Sequence, residues 1–241
     1  IQNEIEQRET ESIELRLFPD GVIEYEERFS ATLHAELDLA RFPFDTQTLE
    51  IEFQSFLWDI NDSVFVSNEE RAGFDPDFKT PEWLVKGTAP SVDQRFEIRD
   101  DRAFSTYTFR IIAERQAGHY VMRFLIPLMF VMLLTWSAFW MPAGPRIRVG
   151  FVALLTVVAS HTIISGNLPR LNYPTFADIV LLVCYLYVAV LIVVSLKVQH
   201  LEESDEDGTN ELAQRINSLA CRALPVAAVL ALGAAVLVLW F

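Results

Sequence analysis

Cysteine is almost absent from this chain of 241 residues: it has two, Cys184 and Cys221, both inside apolar runs. That excludes a disulfide framework and a thiolate metal site, and leaves both thiols as small hydrophobes in helix or lipid contacts. Basic charge is also short, with 19 Lys and Arg against 33 Asp and Glu, a formal net charge of −14. An acidic surface repels nucleic acid, so no nucleic-acid partner is expected. The deficit is unevenly spread. Residues 1–119 carry 26 acidic and 12 basic groups, which accounts for the whole −14, and the remainder carries 7 of each. An acidic, water-facing half is joined to an electrically neutral one. Reactive groups are sparse in the neutral half, whose apolar runs hold His161, Asp178 near an end, and scattered hydroxyls. No metal triad or nucleophile and base pair emerges, so neither enzyme activity nor a cofactor is expected. In the acidic half, Asp59 with Asp62 and Asp75 with Asp77 do not follow calcium-loop spacing and read as solvated loop charge. A signal peptide is also missing, and the chain opens at Ile1. An exported acidic half needs an export signal ahead of it, so an N-terminal portion is expected upstream.

What the neutral half does have is apolar length. Residues 124–142 (FLIPLMFVMLLTWSAFWMP), 179–198 and 223–241 are each long enough, at 1.5 Å per helical residue, to cross a hydrocarbon core of ~30 Å. A further run, VGFVALLTVVASHTII (149–164), is shorter and carries Thr156, Ser160, His161 and Thr162. Polar groups at membrane depth face protein or water, so this is the expected inner helix. Arg146, Arg148, Lys197, Arg215 and Arg222 fall on one side of the bilayer against Arg170 on the other, which places the acidic half outside. The acidic run 202–211 reads as a short cytoplasmic loop.

Ahead of residue 119 the apolar period is two. SIELRLFPDGVIEYEERFSATLHAEL alternates on both sides of PDG, a hairpin signal, and LEIEF and YTFRIIAER alternate likewise. Residues 59–94 are rich in Asp, Asn, Pro and Gly and read as long loops with one short strand near Trp83–Val85. Six or seven strands are expected in all.

Several motifs in this order carry a family resemblance. RFPFDTQTL (41–49), a pre-membrane Arg115-Gln116, an apolar helix with a central proline and WSAFW, an inner helix, and GNLPR (166–170) together resemble the pentameric ligand-gated ion channels. The likeness is to the prokaryotic members related to the Cys-loop receptors, and covers essentially the whole chain. The two cysteines that bracket the wedge in animal relatives are replaced here by Ala35 and Leu49. The resemblance implies an all-β, immunoglobulin-like sandwich over 1–119, partly missing at its N-terminus, and an all-α four-helix transmembrane bundle over 120–241. Helices are expected at about 120–141, 146–165, 174–199 and 213–241, with the fourth facing lipid.

It also implies roles. Phe42, Pro43 and Phe44 would form a rigid wedge touching the connection between the second and third helices, with Asn167, Leu168 and Pro169 at its turn. Asp45 would pair with Arg115. Against this stands the plain reading of a turn with a surface ion pair worth ~0–1 kcal/mol. If five inner helices surround an axis, a repeat of three or four positions selects Gly144, Arg148, Val152, Leu155, Ala159 and Thr162 for the lumen, and rings of Val152 and Leu155 would gate by dewetting. Residues two apart lie ~200° apart on a helix, so Arg146 would sit behind the pore while Arg148 faces it. An Arg148 ring, with no glutamate beside Gly144, implies anion preference; the alternative is that Arg148 snorkels into the cytoplasm and leaves the lumen neutral. The inner-helix histidine of a proton-gated relative falls at Val157 here, so His161 reads as hydrogen-bonded between helices.

Agonists in the family sit between subunits in a box of aromatic rings. Phe56 and Tyr107 are the candidates for it, although strand aromatics are more often core. The resemblance thus implies a homopentamer in the bilayer, gated by a small-molecule or ionic effector and passing inorganic ions. The expected location is a bacterial inner membrane, multi-pass, with the sandwich in the periplasm. The alternatives are a membrane enzyme, for which converging reactive groups are lacking, and a membrane-anchored binding module, for which one helix would suffice.

Overall fold

The computed structural model describes residues 1–75, 77–97, 101–166, 168–204 and 208–240. They divide into two compact units, one of residues 1–38 and 46–115, the other of residues 39–45 and 116–241. The division falls at 115/116, and seven residues of the sequence's first half belong to the second unit.

The first unit is a β-sandwich of two antiparallel sheets. β1 (Glu9–Leu17) and β2 (Ile23–Ser30) form one sheet. The Pro-Asp-Gly turn closes them, with Gly21 at φ +88°, where a Cβ would be strained, and the Phe18 amide donating to the Val22 carbonyl at 2.8 Å. The other sheet has the order β3, β5, β4, from β3 (Thr46–Gln54), β4 (Trp83–Glu97) and β5 (Arg102–Arg115). Arg110 of the central strand bonds Glu50 on β3 at 2.7 Å and Ser91 on β4 at 2.9 Å, fixing both registers. Asn3 stitches the N-terminal segment to the β3 edge, its amide donating to the Glu50 carbonyl at 2.7 Å and its carbonyl accepting from the Glu52 amide at 3.2 Å.

The described residues hold five strands, not six or seven, and the loop reading of 59–94 is wrong at its end. β4 runs 15 residues from Trp83. Gly87, Pro90 and Asp93 hid it, because each disfavours a strand. β4 is an edge strand, where a proline can turn its missing N–H outward, and a register shift between Val85 and Gly87 absorbs the glycine.

Among the described residues, the second unit contains four helices long and apolar enough to cross a membrane: α1 (Gly118–Trp140), α2 (Ala143–Ser165), α3 (Phe176–Glu202) and α4 (Thr209–Trp240). Each departs by a few residues from the expected bounds. α2 starts three residues before 146 because Pro142 is its N-cap residue and leads directly into the first turn. α3 starts at Phe176 because Thr175 and Asp178 form a capping box, the Asp178 carboxylate accepting from the Thr175 amide at 2.9 Å. α1 widens to a π-helical turn over Val121–Leu125, just before Pro127, which has no N–H for the Arg123 carbonyl. Within α4, Pro225 likewise leaves the Cys221 carbonyl without its helical donor, and Trp136 Nε1 of α1 donates to it at 3.0 Å. α2 and α3 approach closely at Gly150, where a Cβ would lie 2.6 Å from Ile192 Cγ1. Cys184 is buried, with Sγ 3.5 Å from Met132 Sδ, and both cysteines are free.

Candidate functional site: a wedge loop and an inner helix

Residues 39–45 form a short loop whose side chains and backbone are tied to the helices of its unit at several points. The Phe42-Pro43 peptide is cis. The Phe42 ring is 3% exposed, meets Tyr120 of α1 edge-on at 4.8 Å, and belongs to the same apolar cluster as Leu39, Phe124, Leu128, Val157 and Ile164. Phe44 behaves differently: it is 41% exposed and lies along Phe176 (5.9 Å) and Trp240 (6.5 Å). Backbone bonds complete the anchoring. The Leu39 amide donates to Tyr173 Oη at 3.0 Å, and the Ala40 carbonyl accepts from the Phe176 amide at 2.8 Å. Arg41 Nε donates to the Leu239 carbonyl at 2.7 Å, with its guanidinium 5.6 Å from the Trp240 ring, so it caps the end of α4.

The loop therefore reaches three helices and the connection between α2 and α3. Leu168 packs against the cluster that holds Phe42, Pro169 is exposed, and Asn167 lies outside the described residues. Asp45 is buried. Arg115 ends β5 in the first unit, its guanidinium 4.3 Å from the Trp83 ring.

Helix α2 has two unlike faces. Ala143, Arg146, Gly150, Ala153, Val157 and Ile164 are buried against the rest of the unit. Arg148, Val152, Leu155, Ala159 and Thr162 are exposed in the single chain, Leu155 at 69%, and Gly144 is half-buried. The hydroxyls of Thr156, Ser160 and Thr162 donate to carbonyls four residues earlier in α2 and demand no partner elsewhere.

Comparison with known proteins fits this geometry. Residues 2–116 match the family described as the neurotransmitter-gated ion-channel ligand binding domain. A protein named proton-gated ion channel, from Gloeobacter violaceus, is 27% identical over 194 residues, which cover 80% of this chain and 54% of the relative. The chain is thus similar to a channel ligand-binding domain over residues 2–116 and to a prokaryotic ion channel over most of its length. It spans about half the length of that relative.

The two arginines near the start of α2 have opposite environments. Arg148 is exposed. Arg146 is 2% exposed and hydrogen-bonded through all three nitrogens: Nε to the Ala138 carbonyl (3.1 Å), Nη2 to the Phe139 (3.2 Å) and Met141 (2.8 Å) carbonyls, and Nη1 to Asn217 Oδ1 of α4 (2.7 Å). The guanidinium thus caps the last carbonyls of α1 and ties that end to α2 and α4. The Asn217 contribution had no sequence signal, because a lone asparagine in a long helix has no motif. Arg41 and Trp240 were missed for the same reason, being 199 positions apart. His161 Nδ1 lies 3.4 Å from Tyr185 Oη of α3, an interhelical contact, and Val157 is fully buried.

The two agonist-box candidates do not meet among the described residues. Phe56 is 88% exposed, whereas Tyr107 on β5 packs against Phe53 (6.0 Å) and Phe65 (6.5 Å). Tyr107 borders an open cavity of about 320 Å³ with Phe65, Asn68 and Arg71.

Proposed function

We propose that this chain is a subunit of a homopentameric ligand-gated ion channel, with the strand unit outside the membrane and α2 of each copy lining the pore. The observation that carries the reading is the loop 39–45, whose sequence neighbours on both sides belong to the strand unit while the loop itself belongs to the helical one. A displacement of β3, which starts at Thr46, is transmitted directly through the backbone to a loop bonded to α3, α4 and the α2–α3 connection. Asp45 and Arg115 are proposed as a charge pair. Asn167, Leu168 and Pro169 are proposed as the turn that receives the wedge.

The exposed stripe of α2 supports the pore assignment. Five Leu155 and five Val152 form apolar rings that shut by dewetting, and Arg148 sets a positive ring at the cytoplasmic mouth that favours anions. The effector is a small molecule or ion bound at the outer subunit interface, with Phe56 and Tyr107 contributing. The relative named a proton-gated channel makes the proton one candidate effector. The natural location is a cell membrane, in bacteria the inner one, with the strand unit in the periplasm.

Current across a planar bilayer under a tenfold chloride gradient tests this. A tenfold gradient is worth ~1.4 kcal/mol and 100 mV is worth ~2.3 kcal/mol per charge, so a purely selective pore reverses near ~60 mV. Arg148→Glu should carry the reversal potential toward the cation value, and Leu155→Ser should wet the constriction and raise basal current. No current from the full-length protein under any effector would overturn the channel reading, and an unmoved reversal potential in Arg148→Glu would overturn the anion ring.

A further inference from the structure

The exposed stripe of α2 carries a single charge. Arg148 lies five residues past Ala143, about 7.5 Å along the axis, and the stripe continues with Val152 and Leu155, 65% and 69% exposed. The two hydroxyls in the α1–α2 groove that Arg148 borders, those of Thr135 and Thr156, donate to carbonyls of their own helices. Arg146, two positions earlier, is committed to three carbonyls and Asn217. No acidic residue occurs from Gln116 to Ser165, and among the described residues no carboxylate pairs with Arg148. The first turn of α2 holds no acidic residue and its N-cap, Pro142, makes no side-chain cap, so the positive end of the helix dipole adds to the same field. In one chain such an arginine is simply hydrated. Five copies around an axis bring five guanidiniums and five helix ends toward one point, with no counter-charge on α1 or α2.

We infer that the ring of Arg148 side chains binds one multiply charged oxyanion, inorganic phosphate or the phosphate chain of a nucleotide, which enters from the cytoplasmic side and plugs the pore. The inference rests on the proposed homopentameric pore and adds a regulatory ligand to it. Attraction to the ring grows in proportion to the charge of the anion, so a dianion is held about twice as strongly as chloride. The cost of shedding water grows as the square of the charge, roughly fourfold for the same comparison. That cost falls due at the apolar Val152 ring, about 6 Å further along the axis. Chloride therefore binds weakly enough to move on, whereas the oxyanion meets a deeper well and a higher barrier beyond it. Guanidinium forks widen the difference, because they give paired N–H···O bonds to an oxyanion edge that a spherical halide does not present.

Native mass spectrometry of the full-length protein in detergent reads the number of chains and of bound anions together, with inorganic phosphate, pyrophosphate and ATP as separate titrants. One anion per five chains is expected, and the titrant that saturates first identifies the source. Arg148→Gln should weaken binding at least about tenfold, and Arg148→Lys should keep the stoichiometry with a smaller loss. Lys197→Gln, which removes an exposed basic group from α3, should change the affinity by less than about twofold, because charges outside the lumen are screened. In a planar bilayer, phosphate on the cytoplasmic side should reduce chloride current, more strongly as that side is made negative, and phosphate on the outer side should not. One anion bound per chain, no binding at all, or equal binding by Arg148→Gln and the unaltered protein would overturn the site, as would chloride current indifferent to phosphate on the cytoplasmic side. An assembly of any other size overturns the pentameric pore itself, and the measured mass separates that failure from the others.

Discussion

Phe42→Ala should undock the wedge loop from the helices while leaving both units folded. The ring is 3% exposed and sits within an apolar cluster that includes Phe124, Leu128, Val157 and Ile164. Truncating a phenylalanine so buried costs ~3–5 kcal/mol, the transfer free energy of the ring plus the cavity it leaves. At 1.4 kcal/mol per decade, that is about 10² to 10³·⁵ in the equilibrium for local opening. Two amides report on it, those of Leu39, bonded to Tyr173, and of Phe176, bonded to Ala40. Their hydrogen exchange, followed by mass spectrometry in nanodiscs, should accelerate by that factor, while amides in β5 keep their protection. Phe44→Ala is the internal comparison. Its ring is 41% exposed, so it loses about 1–2 kcal/mol and accelerates the same amides about tenfold. If the two substitutions accelerate exchange equally, or Phe42→Ala by less than tenfold, the loop is not anchored through Phe42, and the coupling argument fails with it.

Other expectations follow from single contacts. Gly150→Ala places a methyl 2.6 Å from Ile192 Cγ1, so α2 and α3 must separate at a cost of ~1–3 kcal/mol; thermal unfolding should show it, and Ile192→Ala in the same chain should recover part of the loss. Asn217→Ala leaves one N–H of the buried Arg146 guanidinium without an acceptor, for ~1–3 kcal/mol, and Arg146→Lys should cost more because an ammonium cannot span three carbonyls and the Asn217 amide; the same melting experiment ranks them. Glu27 on β2 is held below the usual carboxylate range, chiefly by the Thr10 hydroxyl at 2.9 Å and also by the Tyr25 hydroxyl and Arg8. Its contribution to the hairpin is present above the ordinary glutamate pKa and lost as pH falls through the lowered one. The carboxyl carbon resonance of Glu27 should therefore titrate at higher pH in Thr10→Val, and an unchanged midpoint would remove Thr10 as the cause.

Much of the fold was legible because its signals are local. The β1–β2 hairpin follows from alternation around Pro-Asp-Gly, and the four helices from runs of apolar residues that suit lipid. Strand β4 was not legible, since its glycine and proline are penalised by propensity and tolerated only because β4 lies at a sheet edge, a fact of topology. The opposite placement of Arg146 and Arg148 could be argued from the angle between residues two apart, but the acceptors that satisfy Arg146 could not. They are carbonyls at the end of α1 and an amide on α4, assembled from three parts of the chain.

The sequence alone thus determined the β1–β2 hairpin, which segments can cross a membrane, and which motif sits between the strands and those segments. Tertiary structure decided what the wedge holds on to. Side-chain periodicity reports only whether a residue has a buried face; it carries no record of which distant segment covers that face. Arg41 and Leu239, or Phe42 and Tyr120, become partners only when the helices pack and bring separate stretches of chain within hydrogen-bonding or van der Waals distance.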